Sequence, residues 1–279
     1  MSDSYRPDRE SVGEMYDKIT VLSEDMLGDS HHFGYFPDGG HEGVGMREAA
    51  DNLTDLLIER LALRPGQRVL DLGCGTGRPA VRLAETVPVE VVGITISHAQ
   101  VDIATERAAA AGVADRVRFE LVDATSMPYD KNSFDAVLAI ESLEHLPDQA
   151  GVLNAIAGIL RPGGRLVVAQ PVLQRVDDQE RDDFVRQLYQ NYHLAQPPYL
   201  DEYPQLFARA GLRTRYVEDI YEQVIPPTLA VVDAWVRANS ERISALGDYE
   251  QEVLGLIDGM RTFAELPGVG FAVLVAGKE

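Results

Sequence analysis

The chain has 279 residues, 45% hydrophobic and 25% charged, the composition of one large globular domain or of one domain with an inserted cap. Forty-five acidic against 25 basic side chains give a formal net charge of −20 with no Lys/Arg cluster, which argues against nucleic acid as a partner. One cysteine, Cys74, excludes an internal disulfide and argues against a cysteine metal site, no apolar run approaches the ~18 residues of a membrane helix, and the polar start MSDSYRPDRE lacks a secretory signal, so the expected setting is cytoplasmic.

Strands and helices alternate from about residue 68. RVLDL (68–72) is a short aliphatic strand, followed by a Gly-rich turn and the helical segment PAVRLAE (79–85). VEVVGI (89–94) is a second strand, and SHAQVDIATERAAAAG (97–112) a helix with Ser97 as N-cap and Gly112 as its stop. RVRFELV (116–122) and FDAVLAI (134–140) are the third and fourth strands. QAGVLNAIAGIL (149–160) is a helix closed by Arg161-Pro162-Gly163-Gly164, and GRLVVAQ (164–170) is the fifth strand. Short aliphatic runs separated by helix-length segments are the mark of buried parallel strands, so the pattern implies an α/β sandwich with right-handed crossovers.

The rhythm then breaks. Residues 172–200 read as mostly helical and rich in Tyr, 201–211 as a helix, and 212–220 as a sixth strand. About 45 residues of helical character follow, broken at Pro226-Pro227, before a seventh strand at 268–276. Segments 172–200 and 221–265 both follow strands, so both can lie over the carboxyl edge of the sheet, where open α/β sheets bind ligands. The expected division is a helical lid at 1–50, a ligand-binding core at 51–171, a cap insertion at 172–200, and a C-terminal half of the sheet at 201–279 carrying a second helical insertion at 221–265.

Asp71 ends the first strand, and Gly73, Cys74, Gly75, Thr76 and Gly77 follow. Glycines let a ligand approach the backbone and permit positive φ, and Pro79 suits the first turn of the next helix. A dinucleotide fingerprint needs its third glycine five residues after the first; here it comes four after, and Arg78 stands at the dinucleotide position. A Walker loop would need Gly-Lys-Ser/Thr, which is absent. The competing reading is a tight strand-to-helix turn without a ligand.

VLDLGCGTGRP (69–79) resembles the first motif of the class I S-adenosylmethionine-dependent methyltransferases. GITISHAQ (93–100), VDATSMPYDKNSFDAV (122–137), IESLEHLPD (140–148) and LRPGGRL (160–166) extend the resemblance, which covers residues 12–171 well. The set looks most like small-molecule enzymes of secondary metabolism: antibiotic sugar O-methyltransferases, tocopherol C-methyltransferases and cyclopropane fatty acid synthases. The resemblance implies a Rossmann-like, doubly wound, seven-stranded and mostly parallel sheet with helical cap segments. It implies S-adenosyl-L-methionine as cofactor and a small-molecule acceptor; a homo-oligomer is allowed. By the same resemblance, Asp71, Gly73, Cys74 and Gly75 hold the methionine portion, and Ile140 ends the fourth strand beside it. Thr95, Ile96 and Gln100 line the ribose, with Thr95 where many relatives carry an acid, and Asp123 and Ala124 flank the adenine. Asp123 read by itself also suits a turn cap.

Glu141, Glu144 and His145 follow the fourth strand within five residues, and a short helical turn would put Glu141 and His145 on one face. The alternative is a solvated loop. The sugar O-methyltransferases carry His-His where this chain has Glu144-His145, and an Asp where it has Gln170; both departures weaken the O-methylation reading. The Glu-His pair resembles the carbon-methylating relatives, so Glu144 and His145 are the catalytic candidates, His145 also touching the cofactor, and carbon is modestly favoured over oxygen. A methyltransferase-fold cyclase is the third reading. Tyr189, Tyr192, Tyr199 and Tyr203 in the cap, with Tyr16, Phe33, Tyr35 and Phe36, are candidates to face a developing cation, against plain packing. HHFGYF (31–36) resembles the N-terminal cofactor-covering loop of the subgroup, which puts Tyr35 near the cofactor. His31 and His32 are adjacent and do not easily share a metal, so none is expected.

Overall fold

The computed structural model describes residues 26–146, 148–191, 198–244 and 250–279. Seven strands form one sheet: β1 (Arg68–Leu72), β2 (Glu90–Thr95), β3 (Val117–Leu121), β4 (Phe134–Ile140), β5 (Leu160–Leu173), β6 (Leu212–Asp219) and β7 (Val269–Lys278). Their order is β3-β2-β1-β4-β5-β7-β6. β1 to β5 pair in parallel, and β7 runs antiparallel to both β5 and β6. The helices are α1 (Met46–Leu61), α2 (Arg78–Thr86), α3 (His98–Ala110), α4 (Gln149–Ile159), α5 (Gln179–Asn191), α6 (Tyr203–Arg209), α7 (Tyr221–Ala238), α8 (Ser240–Ser244) and α9 (Glu250–Ala264).

Strand alternation sends side chains into two cores. Val69, Leu138 and Phe271 pack with Leu53, Leu57, Leu83 and Val224 from α1, α2 and α7. Leu70, Val137 and Leu274 pack with Leu153, Ile156 and Phe207 from α4 and α6. Both faces are therefore covered, as the continuous aliphatic runs require. The reversal of strand order between β1 and β4 opens a crevice at the carboxyl edge, the switch point where such sheets bind ligands.

Three expectations are corrected. Pro226 and Pro227 do not break the chain: both lie inside α7. Pro227 has no N–H for the carbonyl of Gln223, and that oxygen instead accepts the N–H of Phe36 at 2.8 Å. Arg161-Pro162-Gly163-Gly164 does not separate α4 from a strand starting at 164; it is an irregularity within β5, where the pairing shifts between Phe134 and Ala136 and Gly163 takes φ 79°. Finally, residues 30–45 of the expected helical lid are extended or turn structure, and the 50/51 division falls inside α1. No described helix is long and apolar enough to cross a membrane.

Candidate active site

The carboxyl ends of β1, β2 and β4 enclose a cavity of about 350 Å³, a size suited to a small ligand. Its floor is the β1–α2 turn. The N–H groups of Gly73 and Cys74 both donate to the Ile94 carbonyl at 2.9 Å, which ties the turn to β2. Gly73 has φ 75°, and a Cβ there would lie 2.5 Å from Cβ of Ser142, so only glycine lets the turns after β1 and β4 approach. Gly75 has φ 52°, and a Cβ there would meet nothing within 4 Å: its open side is the cavity.

Asp71 projects into the same space, 1% exposed, with Oδ2 lacking a hydrogen-bond partner. Burial pushes its carboxyl up to about 7. Ser142 Oγ also lines the cavity without a partner. On the β2 side, Thr95 Oγ1 donates to Gln100 Oε1 at 2.7 Å and accepts the Ser97 N–H at 3.2 Å, while Ser97 caps α3 through the Gln100 N–H. Gln100 is thereby held by its oxygen, and its N–H₂ end is the one to offer a ligand. Asp123 Oδ1 accepts both the N–H and the hydroxyl of Thr125, at 2.8 and 2.7 Å, so one of its oxygens serves as the turn cap while the residue lines the cavity. Ile96, Ala124 and Ile140 supply apolar wall.

After β4 the chain turns sharply. Glu141 sits at φ 43°, and its Oε1 accepts the N–H of Phe33 at 2.9 Å. A 3₁₀ turn over Leu143–His145 follows, not the helical turn that would align Glu141 with His145 by spacing alone; both nevertheless line the cavity. Burial lowers the His145 imidazole to about 4, so it is neutral near pH 7. Glu144 is 7% exposed and does not line this cavity; burial first, and then the Glu144 charge, pushes the hydroxyls of Tyr189 and Tyr203 up. Burial raises its own carboxyl to about 7.

The structure thus brings Asp71, Gly73, Cys74, Gly75, Thr95, Ile96, Gln100, Asp123, Ala124, Ile140 and His145 to one cavity. Two expected residues stand elsewhere. Glu144 is buried on the same turn as His145 but does not line the cavity. Tyr35 packs on the core face of the sheet, its N–H on the Ala49 carbonyl at 2.8 Å. The covering loop reaches the cavity through Ser30, His31 and His32 instead, and burial lowers both imidazoles to about 4. Among the described residues no group of His, Cys, Asp or Glu has the makings of a metal site. Of the aromatic candidates, Tyr203 is fully buried with its hydroxyl accepting from Gln170 Nε2 at 2.6 Å, and Tyr189 is 3% exposed against Phe263. Arg175 covers the ring of Tyr199 at 4.3 Å, Phe33 packs edge-on to Phe271, and Phe36 is core. Tyr16 and Tyr192 lie outside the described residues. Glu141 stands where the sequence put it, at the edge after β4, while nothing in the sequence singles out Ser30 or Ser142, which also line the cavity.

Chemically, the described lining residues offer three carboxyls, Asp71, Asp123 and Glu141, of which Asp71 is fully buried, and no Lys or Arg. Such a wall suits a ligand carrying positive charge, with Thr95, Gln100 and Asp123 ready to meet hydroxyls and a base. These are the parts of S-adenosylmethionine, and the residues fit it.

Known proteins agree. A family model described as a methyltransferase domain matches residues 63–211. The chain is 36% identical over 267 residues to the methyltransferase GfsG of Streptomyces halstedii, covering 96% of this chain and 94% of that protein. It is also 36% identical over 273 residues to the 27-O-demethylrifamycin SV methyltransferase of Amycolatopsis mediterranei (strain S699), covering 98% of each. Among solved structures, the (4+2)-cyclase SpnF matches with a TM-score of 0.80 and 31% identity over 99% of both chains.

Proposed function

The chain belongs to the S-adenosylmethionine-dependent methyltransferases, and from that premise we propose that it methylates a hydroxyl oxygen on a mostly apolar secondary metabolite. When bound, S-adenosylmethionine supplies a methyl group already activated by positively charged sulfur. The chain's own residues must then hold the acceptor in line, exclude water and take up the hydroxyl proton. Asp71 and the Gly73–Gly75 turn hold the methionine end, Thr95, Ile96 and Gln100 the ribose, and Asp123 and Ala124 the adenine. The segments carrying α5 and α7 to α9 form the acceptor cap.

The observation that carries the reading is the near-full-length match to the rifamycin enzyme, and the residue that would serve it as base is Glu144, a buried carboxyl raised to about 7 next to cavity-lining His145. A group of that affinity accepts a proton near neutral pH as a hydroxyl is methylated. The rifamycin enzyme, matched over nearly its whole length, is named for an O-demethyl compound, which supports oxygen. The Glu144-His145 pair remains the support for a carbon acceptor. Incubation with methyl-labelled cofactor and hydroxylated, mostly apolar secondary metabolites should give a methyl ether and S-adenosylhomocysteine. Glu144→Gln should lower the single-turnover rate about 100- to 10,000-fold with cofactor affinity nearly unchanged, while His145→Ala weakens cofactor binding as well. Wild-type turnover by Glu144→Gln sinks this assignment.

A second reading is favoured by the whole-chain match to SpnF: a cyclase that retains the cofactor. It predicts a product of unchanged mass and no S-adenosylhomocysteine.

A further inference from the structure

Glu141 is the first residue after β4, and three observations meet in it. It lines the cofactor cavity. Its backbone is left-handed, φ 43°, a conformation that non-glycine residues adopt at a cost and that persists where the surroundings enforce it. Here its N–H donates to the Ala169 carbonyl at 2.8 Å, and its Oε1 accepts the N–H of Phe33, 108 residues away, at 2.9 Å. The carboxyl therefore joins the cavity wall to the loop that covers it.

Three other links of that loop run between uncharged groups. Thr76 Oγ1 donates to the Asp29 carbonyl at 3.2 Å, Gly34 N–H to Thr228 Oγ1 at 3.1 Å, and Phe36 N–H to Gln223 at 2.8 Å. Asp29, at the start of the loop, is also held by cations, its carbonyl accepting from Arg107 at 2.9 Å and its carboxylate paired with Arg47, whereas the Phe33–Glu141 bond is the link of residues 30–36, among the described ones, that ends on a carboxyl. The ionisable groups sharing its surroundings are Glu144 on the same turn, Asp71 and Cys74 from the β1 turn, Asp123 across the cavity, and His31, His32 and His145, all three lowered by burial and neutral near pH 7. None is a cation, and burial with the neighbouring Glu144 pushes the Glu141 carboxyl well above the usual carboxylate range. A positively charged ligand reverses that preference.

We propose that Glu141 discriminates the charged methyl donor from its product and reports the difference to the 30–36 loop through Phe33. With the sulfonium in the cavity, Glu141 loses its proton to solvent, and the bond from Phe33 N–H becomes a charge-assisted one, shorter and stronger. After transfer the sulfur is neutral, the carboxyl regains a proton from solvent, and the loop slackens for S-adenosylhomocysteine to leave. The inference holds for an oxygen or a carbon acceptor alike.

Calorimetry with S-adenosylmethionine and S-adenosylhomocysteine tests it without turnover. In buffers of differing ionisation enthalpy, the donor should release more protons on binding wild-type protein than the product does. Glu141→Gln keeps an oxygen for Phe33 N–H but cannot ionise. It should bind the product as wild type does and the donor about tenfold more weakly. Hydrogen exchange at residues 30–36 should be slower with donor than with product in wild type, equal with both in Glu141→Gln, and faster throughout in Glu141→Ala. Equal proton release for the two ligands in wild type, or an unchanged donor-to-product affinity ratio in Glu141→Gln, overturns the proposal.

Discussion

Glu144 has a folded-state affinity for protons well above its ordinary value of 4.5, reaching about 7, because burial disfavours its charge. A base must be ionised, so at saturating cofactor the rate constant of transfer should climb with pH up to about 7 and level off above it. In Glu144→Gln that rise should vanish, and a rise that persists assigns the base elsewhere. For stability the sign is opposite. The cofactor-free fold binds the extra proton, so this site's contribution is present below about 4.5 and is lost as pH rises to about 7. Gly75 makes the complementary test of the cavity floor. Gly75→Val puts a branched side chain into the ligand's space at φ 52°, and calorimetry should detect no cofactor binding. Much of this floor is legible from sequence, since glycine spacing fixes where a backbone turns and opens. The directions of Glu141, Glu144 and Tyr35 are not. Glu141 is turned by a left-handed backbone that no residue type announces, and Glu144 by a 3₁₀ turn whose angular step differs from that of an α-helix.

The strands and most helices follow from aliphatic runs and caps because each is decided within its own few residues. Helix α7 is not. Pro226-Pro227 signals a break, yet the helix runs on because its orphaned Gln223 carbonyl finds the Phe36 N–H, a partner nearly 190 residues upstream. The next turn of α7 repeats the device. Thr228 Oγ1, fully buried, accepts the N–H of Gly34 at 3.1 Å and returns a longer bond, 3.4 Å, to the Gly34 carbonyl. Thr228→Val keeps the shape and removes the hydroxyl, leaving a buried N–H unpaired. Urea unfolding should show a loss of about 1–3 kcal/mol, and cofactor affinity should fall because the same loop carries Ser30, His31 and His32 to the cavity. Thr228→Ser should restore both. Full stability in the valine variant removes this contact from the account of how the loop is held.

Across the whole molecule, the covering loop gathers elements that are remote in sequence. Asp29 accepts from Thr76 at the β1 turn and from Arg107 of α3, Phe33 donates to the end of β4, Tyr35 to α1, and Gly34 and Phe36 to α7. Both halves of the sheet therefore meet at the cavity through one short segment, and a ligand held there should stabilise them as a unit. Binding only to the folded form at a hundredfold excess over its dissociation constant adds ~2.7 kcal/mol to unfolding. If the halves are coupled as these bonds imply, cofactor should raise the midpoint of one cooperative transition. Hydrogen exchange should slow in residues 29–36 and in the first two turns of α7, neither of which adjoins the glycine turn in sequence. Adding acceptor should extend protection to α5, whose Tyr189 lies buried beside Glu144. Protection limited to residues 71–77, or two separate transitions of which only one moves, would mean that the loop rests on the cavity without linking its two sides. Closure would then have to be driven by the acceptor alone.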